Sequence, residues 1–352
     1  MTRADVAVVG GGPAGSAVAW HLAAAGASVV LVDDGRGPWR PVGQQLSPAA
    51  LPLLRDLGVA DRLTAPAAAP VHEARSVWSH ESAVDLRPAL FSAYGPPLAV
   101  DRAALDALLR DAARRAGVRT LRAHVKAARG PGGWHLTAVS PAGRPEPVAG
   151  PAAVLVDATG AARARARRLP WHAADRLRCT VWRARPADAG RQSWSLVEAV
   201  ADGWWYSAPT PGGGLTLMRV QDRTAVHAAS TPPPRTAQRL ADLPLPPPAA
   251  VRAVPVGCAD PPWADGLVAA GDAALALDPL SSAGLHHALD LARPAAAAAL
   301  GLLRRDPRTA AAYARLVREA LARHLTVRRT VHAAAAPRYT AEPFWRRRAS
   351  GG

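Results

Sequence analysis

A single stretch near the start of the chain decides the fold: Asp5-Val-Ala-Val-Val-Gly-Gly-Gly-Pro-Ala-Gly-Ser-Ala-Val-Ala-Trp-His-Leu-Ala-Ala-Ala-Gly-Ala-Ser-Val-Val-Leu-Val-Asp33. Val6 to Val9 form a short apolar run typical of a buried parallel strand, and Ser16 to Ala25 have the composition of a helix. A second strand is predicted from Ser28 to Val32, after a glycine that ends the helix. Strand, turn, helix and strand in this order predict a βαβ unit at the start of an α/β fold.

The turn of this unit carries glycines spaced as G-x-G-x-x-G, at Gly10, Gly12 and Gly15. The first allows a tight turn, the second lets the backbone approach a pyrophosphate, and the third lets helix and strand pack closely. Asp33 ends the second strand, where its carboxylate can accept hydrogen bonds from both hydroxyls of an adenosine ribose. The pattern favours a dinucleotide site over a purely structural βαβ unit, but alone it does not distinguish FAD from NAD.

The charge of the chain is a poor guide to its partners. The formal net charge is +16 over 352 residues, and arginine supplies nearly all of the positive charge because Lys126 is the only lysine. An excess of arginine, alanine, proline and glycine is typical of a GC-rich genome, so the charge gives little support for a nucleic-acid partner. The densest arginine cluster, in residues 163–168, favours a solvated loop or helix over an acidic partner.

Cysteine usage and hydropathy indicate an ordinary soluble protein. Cys179 and Cys258 are the only cysteines and lie far apart, which gives neither a C-x-x-C motif nor a cysteine metal site. The N-terminus enters a strand at once, without the features of a signal peptide. The apolar run from Ala14 to Val32 changes period at Gly26, which favours helix and strand over a membrane span. We therefore expect a cytoplasmic protein that binds no metal, membrane or nucleic acid.

The middle of the chain predicts further helices and a second sheet. Ser47-Pro48 predicts a capped helix start, and Asp101 predicts the cap of a clear amphipathic helix. Residues 176–222 change to an antiparallel, aromatic-rich strand pattern. Gly284 to Arg304 predict one long helix, in which Pro294 is the expected site of a kink.

The last third of the chain contains a motif that distinguishes the two cofactors. Gly271-Asp272 closes the last long predicted strand, and Asp278-Pro-Leu-Ser-Ser-Ala-Gly284 leads into a helix. An aspartate at a strand end can hold a ribityl hydroxyl, and a helix that starts at a glycine can direct its N–H groups at the flavin pyrimidine. An NAD enzyme has no use for this element, so the sequence predicts FAD.

With Val100-Asp-Arg102 and Asp157-Ala-Thr-Gly160, these motifs resemble those of the aromatic-hydroxylase, flavin-halogenase and geranylgeranyl-reductase superfamily of FAD-dependent oxidoreductases, in family order and over nearly the whole chain. The resemblance implies an α/β fold with a Rossmann-like FAD-binding domain of the glutathione-reductase-related, p-hydroxybenzoate-hydroxylase-like type. An inserted antiparallel β-sheet substrate domain and C-terminal helices complete the expected fold. The expected boundaries are residues 1–68, 97–165 and 258–305 for FAD binding, 69–96 and 166–257 for substrate, and 306–352 for the helical segment.

The resemblance also implies roles for individual residues. The expected cofactor-binding residues are Gly10, Gly12, Pro13, Ala14, Gly15, Asp33, Arg40, Arg102, Asp157, Gly271, Asp272, Pro279, Ser281, Ser282, Gly284 and Leu285. The expected substrate pocket contains Trp78, Trp204, Tyr206 and Pro279. No catalytic acid or base can be assigned, and the candidates, for which packing or surface roles compete, are His72, Glu198, His286 and His287.

The aromatic segment Asp202-Gly-Trp-Trp-Tyr-Ser-Ala-Pro209 is similar to a halogenase motif, with Tyr206 in place of its second tryptophan. Because neighbouring residues on a strand face opposite ways, Trp204 and Tyr206 are expected on one face and Trp205 on the other. At most one of these faces can meet the flavin, and an open pocket is expected behind Trp204 and Tyr206.

Other features resemble flavoprotein monooxygenases that oxidise tryptophan in peptides or proteins, including those that mature tryptophylquinone cofactors. These features are Ser76-Val-Trp78, Tyr94-Gly95, and Phe344-Trp345 followed by arginines. The loop Trp39-Arg-Pro-Val-Gly-Gln-Gln-Leu-Ser-Pro48 is similar to a loop of the wider family, with Gln44 where glutamate is usual. Two groups that halogenation uses are missing. No lysine precedes Lys126, and Ser281 stands where tryptophan halogenases carry a glutamate.

The sequence thus predicts an FAD-dependent monooxygenase of natural-product or cofactor biosynthesis. It would hydroxylate an electron-rich aromatic substrate, tryptophan- or indole-like and free or peptide-borne, through a flavin C4a-hydroperoxide. O₂ is the expected cosubstrate, and NAD(P)H or a separate flavin reductase is the expected electron source. The alternatives are an FAD-dependent dehydrogenase or reductase, geranylgeranyl-reductase-like or amine-oxidising, and a non-catalytic flavin-binding maturation partner.

Overall fold

The computed structural model describes residues 3–35, 45–79, 84–89, 92–139, 146–164, 166–224, 231–241 and 243–349. Its helices are α1 (Pro13–Ala24), α2 (Ala50–Asp56), α3 (Arg102–Arg115), α4 (Pro234–Leu240), α5 (Gly284–Asp290), α6 (Ala292–Leu303), α7 (Arg308–Ala335) and α8 (Pro343–Ala349). Its strands are β1 (Ala4–Val9), β2 (Val29–Asp33), β3 (Gln45–Leu46), β4 (Ala68–Pro70), β5 (Glu73–Val77), β6 (Asp85–Pro88), β7 (Leu98–Val100), β8 (Arg119–Arg122), β9 (Val125–Gly130), β10 (Gly133–Ala138), β11 (Glu146–Asp157), β12 (Trp171–Ala184), β13 (Trp194–Val200), β14 (Gly203–Thr210), β15 (Gly214–Asp222), β16 (Ala250–Ala259), β17 (Trp263–Ala264), β18 (Leu267–Ala269) and β19 (Leu275–Ala276).

Sheet A is built around β1, as the opening sequence predicts. Its main order is β17-β18-β11-β1-β2-β8, and β9 and β10 extend it from the first half of β11. β8, β2, β1, β11 and β18 run parallel, and β1 is buried on both faces. The chain leaves β1 in one direction for β2 and β8 and returns on the other side as β11 and β18. The strand order therefore reverses between β1 and β11, where open α/β sheets bind their ligands.

Sheet C forms the second half of the molecule. Its order is β19-β16-β12-β15-β14-β13-β5-β6, and all pairs are antiparallel except β13 with β5. A small sheet B, of order β3-β7-β4, comes from the segment between β2 and β8, which also contains β5 and β6 of sheet C. β19 belongs to sheet C although the sequence assigns its residues to the FAD-binding domain, and the predicted domain boundaries stay a prediction.

The two faces of sheet C carry different aromatic clusters. Trp204 and Tyr206 pack on one face with residues of α7 and α8, whereas Trp205 stacks on Trp182 on the other, with ring centroids 5.1 Å apart. The expected division of these three neighbouring aromatic residues between the faces is confirmed. It follows directly from the two-residue period of a strand.

The C-terminal helices cover the first of these faces. Trp345 on α8 is completely buried. Arg348 on the same helix binds Asp175 on β12 through two hydrogen bonds, of 2.7 and 2.9 Å, and Asp222 on β15 at 2.7 Å. A bidentate guanidinium–carboxylate pair fixes both distance and orientation, so α8 is held against sheet C by charge as well as by apolar contact.

Two predicted helix boundaries were wrong. α2 begins at Ala50, and no side chain caps it. Ser47 accepts the first turn's hydrogen bond with its backbone carbonyl, from Ala50 N at 2.9 Å, instead of capping with its hydroxyl. The long helix after Gly284 is two helices that meet at Leu291. Pro294 has no N–H to donate to the Asp290 carbonyl four residues earlier, so the interruption at Leu291, just before the proline, is the effect expected of Pro294.

Candidate cofactor and substrate site

The glycine turn after β1 has the geometry that its spacing predicts. Gly10 has φ +107°, and a Cβ there would lie 2.3 Å from the Ala158 carbonyl oxygen. A Cβ on Gly15 would lie 1.9 Å from the Gly10 carbonyl oxygen. A Cβ on Gly12, by contrast, would meet nothing within 4 Å. The fold therefore requires glycine at the first and third positions, whereas the second borders open space of the kind that a pyrophosphate would use.

The carboxyl ends of the parallel strands bring the two motifs together. Ala158 N donates to Val9 O, and Ala270 N donates to Asp157 O, each at 2.9 Å. A Cβ on Gly271, which has φ +60°, would lie 2.7 Å from the Cβ of Ala14 on α1. The late glycine–aspartate motif thus lies against the start of α1, beside the glycine turn.

Asp33 lies where the adenosine ribose is expected and already has a cationic neighbour. Its Oδ1 accepts from Gly35 N at 3.3 Å, and its Oδ2 lies 3.3 Å from Arg110 Nη1. Arg110 Nη1 also donates to the Gly11 carbonyl oxygen at 3.1 Å. Arg110 is not among the residues predicted from the sequence. Its position eight residues after Arg102 on one helical face is the signal that could have found it.

At the other end of the crevice, Arg102 pairs with Asp106, Nε to Oδ1 at 3.3 Å. Burial raises the pKa of Asp106, and Arg102 opposes this rise. Asp272 is exposed, yet its crowded surroundings raise the pKa of its carboxyl by desolvation, against the field of Arg102. Asp272 lies in the turn Gly271–Ala273 after β18 and is exposed, so its carboxylate is open to a ribityl hydroxyl.

The Asp157 carboxylate already accepts hydrogen bonds from other residues of the protein. It is fully buried, and its Oδ1 accepts from Thr159 N at 2.9 Å and from Thr159 Oγ1 at 2.6 Å, while Oδ2 accepts from Ala166 N. Its side chain orders the loop after β11, which argues against the expected direct contact with FAD. The predicted residues Arg40 and Gln44 lie outside the described residues.

The turn expected at the flavin is organised by a buried carboxylate. Asp278 is fully buried, and burial raises its pKa to about 6. It accepts from Leu280 N at 3.0 Å and so caps the turn Pro279–Ser281. Its backbone N–H donates to His324 Nε2 at 3.2 Å, a contact that the sequence analysis missed.

The remaining predicted residues of this turn differ in their exposure. Ser281 and Gly284 are exposed, and Pro279 and Ser282 are half-buried. Leu285 is buried in the main core, so its side chain packs rather than facing a ligand. Gly284 begins α5 as predicted, and a Cβ there would meet nothing within 4 Å.

Tyr206 connects this turn to sheet C. Its hydroxyl donates to Gln45 Oε1 at 2.8 Å, and it also forms a hydrogen bond with the Ser282 side chain. Burial raises the pKa of Tyr206, so its hydroxyl keeps its proton at neutral pH. Leu280 packs in the same apolar cluster as Tyr206 and Trp204. The face of sheet C that carries Trp204 is therefore the one that meets the flavin turn.

The predicted pocket residues come together, but the space beside Trp204 is filled. Trp345 lies edge-on to Trp78 at 6.4 Å, stacks on Tyr339 at 5.8 Å, and donates from Nε1 to Val200 O at 2.8 Å. The open pocket expected behind the aromatic pair is thus closed at the Trp204 end by the chain's own indole. Surface depressions of about 270 Å³ next to Asp222 and about 510 Å³ along residues 232–245 lie away from the flavin turn.

Glu198, one of the four catalytic candidates, has a structural role. Glu198 is buried and accepts from Arg235 N at 3.0 Å, from Thr236 N at 2.6 Å and from the Thr236 hydroxyl. It caps α4 and pairs with Trp205, so it faces away from Tyr206, which argues against catalysis. His72 is exposed beside β5.

His286 and His287 lie on α5, directly after the flavin turn, with their rings 5.3 Å apart. Burial lowers the pKa of both histidines, which keeps them neutral at pH 7. Each has an Nδ1 without a hydrogen-bond partner among the described residues. Their position therefore leaves them as the histidine candidates nearest in the chain to the flavin turn.

Comparisons with known proteins found a matching family model, curated relatives and similar solved structures. Residues 3–130 match the FAD binding domain family. A geranylgeranyl diphosphate reductase of Rhodobacter capsulatus is 38% identical over 117 residues, which are 33% of this chain and 27% of that protein. The structure of QhpG, a peptidyl tryptophan dihydroxylase essential for tryptophylquinone cofactor biogenesis, matches with a TM-score of 0.75 and 24% identity, over 99% of this chain and 79% of the other. The flavin-dependent halogenase CmlS matches with a TM-score of 0.80 and 24% identity, over 99% and 68%.

These comparisons establish the fold and the cofactor class. They confirm the resemblance to FAD-dependent oxidoreductases and the α/β FAD-binding fold that the sequence predicts. The chain spans 13% to 27% of the length of the curated relatives it matches. Within the described residues, no helix combines the length and hydropathy that crossing a membrane demands.

Proposed function

We propose that this protein is an FAD-dependent monooxygenase that hydroxylates an electron-rich aromatic ring of the indole type, free or peptide-borne, and does not halogenate it. The observation that carries the proposal is the junction of Tyr206 with Gln45 and Ser282. It joins the aromatic face of sheet C to the turn expected at the flavin. A flat apolar wall beside that turn suits a planar ring, although such stacking adds only about 0.5–1.5 kcal/mol beyond burial.

The chain's own residues would bind the cofactor and exclude water. Gly12, Asp33 and Asp272 fit the pyrophosphate, the adenosine ribose and the ribityl chain of FAD, because one borders open space and two are carboxylates at strand ends. Bound FAD, once reduced by NAD(P)H or by a separate reductase, would supply the activation of O₂. Trp204, buried next to the turn, helps to keep water from the reacting ring.

Two positions at which halogenases carry a charged group differ in this sequence: no lysine precedes Lys126, and Ser281 stands where tryptophan halogenases carry a glutamate. Lys126 lies on β9 opposite Thr137, in sheet A and not on the aromatic face of sheet C. Ser281 donates its hydroxyl to the Asp278 carbonyl oxygen at 3.3 Å and brings no carboxylate to the turn. The dihydroxylase and the halogenase match this chain at the same sequence identity, so the comparisons do not discriminate between hydroxylation and halogenation. The positions of Lys126 and Ser281 support hydroxylation.

Product analysis tests this proposal. The protein, supplied with a flavin reductase, NADH, O₂, chloride or bromide and an indole-bearing peptide, should yield products heavier by oxygen and free of halogen. The variant Lys126→Met serves as the control and should give the same products at the same rate, since its side chain lies in sheet A. A halogen isotope pattern in the mass spectrum of the product would overturn the mechanism.

A second candidate is an FAD-dependent reductase or dehydrogenase. It is favoured by the 38% identity to a geranylgeranyl diphosphate reductase over 117 residues. The same assay separates it from the first, because a dehydrogenase removes hydrogen from its substrate without adding oxygen, and a reductase adds hydrogen. Either product, formed without oxygen gain, would replace the monooxygenase proposal.

A further inference from the structure

Charged side chains on one face of α3 form a row along the cofactor crevice. Arg102, Asp106 and Arg110 are spaced by four residues, which places them on the same face of the helix. Arg102 pairs with Asp106, and Arg110 pairs with Asp33 at 3.3 Å. The row thus runs from the neighbourhood of Asp272, which feels the field of Arg102, to the carboxylate at the end of β2.

Arg110 is the member of this row that contacts both the glycine turn and Asp33, the two parts of the expected nucleotide site. The same Nη1 atom lies 3.1 Å from the Gly11 carbonyl oxygen and 3.3 Å from Asp33 Oδ2. The buried Ser16 hydroxyl also donates to the Gly11 carbonyl oxygen, at 3.1 Å. Two donors therefore fix the orientation of the peptide between Gly11 and Gly12.

That orientation decides where the next N–H group points. In a planar trans peptide the carbonyl and the following N–H point in opposite directions. Because Arg110 and Ser16 hold the Gly11 carbonyl, the Gly12 N–H is directed away from them. Gly12 borders open space, since a Cβ there would meet nothing within 4 Å. The N–H group is thus held ready for an anion at this side of the turn.

The charge of Arg110 also matters, because Asp33 would repel a diphosphate. A carboxylate close to a dianionic pyrophosphate opposes binding unless a cation compensates it. The side chains of Arg110 and Asp33 are only 32% and 25% exposed, so solvent does not fully screen the pair. Arg114, one turn further along α3, binds Asp111 instead and is 68% exposed.

We propose that Arg110 is a positioning residue for the ADP half of FAD. Its guanidinium holds the Asp33 carboxylate for the ribose hydroxyls and the Gly11 peptide for the pyrophosphate. This assignment rests on FAD binding and not on the reaction proposed above.

Ligand titration of the flavin-free protein tests it. Arg110→Met should weaken FAD binding by roughly five- to thirtyfold, the effect of losing partly exposed charge-assisted hydrogen bonds. ADP should lose affinity by the same factor, because it contains the ribose and the diphosphate, whereas FMN should bind as it does to the unchanged protein. Arg114→Met, on the same helix, is the matched control and should bind all three ligands normally.

Two results would overturn the assignment. One is unchanged FAD affinity in Arg110→Met. The other is an equal loss of FMN and FAD affinity, which would indicate general damage to the fold.

A double-mutant cycle adds a further test: combining Arg110→Met with Asp33→Asn should weaken FAD binding by less than the product of the single effects. If the double variant weakens FAD binding by the full product of the two single factors, Arg110 does not act through Asp33. Failure of hydroxylation in a protein that binds FAD leaves all of these measurements valid.

Discussion

His332 predicts a specific loss of stability in acid. The ring is fully buried on α7, 5.3 Å from Trp345, and neither nitrogen has a hydrogen-bond partner among the described residues. Burial and the nearby cations Arg328 and Arg348 lower its pKa to about 3, against partial opposition from Asp175. Between about pH 6.5 and pH 3 the unfolded chain therefore binds a proton at His332 that the folded protein does not bind. The free energy of unfolding falls as the pH is lowered through this range.

The size of this loss of stability follows from how far the pKa of His332 is lowered. One pKa unit corresponds to about 1.4 kcal/mol, so moving from pH 6.5 to pH 5 costs the folded state about 2 kcal/mol through His332. His324, with a pKa lowered to about 4, acts in the same direction, while Asp278, with a pKa raised to about 6, acts against it. A comparison between the protein and a His332 variant at each pH removes most of these common contributions.

His332→Leu isolates the effect in denaturant unfolding of the flavin-free protein. At pH 7 the two proteins should differ little, because leucine of similar volume replaces a ring that makes no hydrogen bond. At pH 5 the variant should gain about 2 kcal/mol relative to the unchanged protein. Val317→Ala, a fully buried non-titrating change on the same helix, should cost the same at both pH values. A difference for His332→Leu that stays constant between pH 7 and pH 5 would refute the reasoning.

The residues expected around FAD give two further predictions. Gly12→Val should leave the melting temperature of the flavin-free protein unchanged but abolish FAD binding, whereas Gly15→Ala, with its Cβ 1.9 Å from Gly10 O, should destabilise the protein itself. Flavin retained at normal stoichiometry in Gly12→Val would contradict the placement of the pyrophosphate. Asp272→Ala should weaken FAD binding roughly ten- to hundredfold, through loss of a charge-assisted hydrogen bond, without changing the stability of the flavin-free protein. Unchanged affinity in a fluorescence titration would mean that Asp272 does not hold the ribityl chain.

The features that sequence predicted well are those set by local geometry. The turn at Gly10 to Gly15 follows from the close approach of backbone atoms, which no other residue permits. The opposite facing of Trp204 and Trp205 follows from the two-residue period of β14. Asp101 caps α3 with two hydrogen bonds, from Ala103 N and Ala104 N, as its position predicted.

The features that sequence missed depend on contacts between distant segments. Arg110 meets Asp33 only after α3 packs against α1, so its helical spacing from Arg102 does not by itself show which carboxylate it binds. Trp345 fills the predicted pocket because Arg348 anchors α8 to Asp175, a residue 173 positions earlier in the chain. No residue pattern within one segment could indicate it.

The place of Trp345 in the core has a consequence for biosynthesis. Trp78 and Trp204 leave the ribosome long before residues 343–349, which complete their apolar cluster and neutralise part of the charge on Asp175 and Asp222. Until then, the aromatic face of sheet C lacks the part of its cover that α8 provides. A nascent chain with an exposed apolar face is prone to aggregate. A stalled or prematurely released chain would therefore present this face to chaperones and proteases, even though the glycine turn of the other half was translated first.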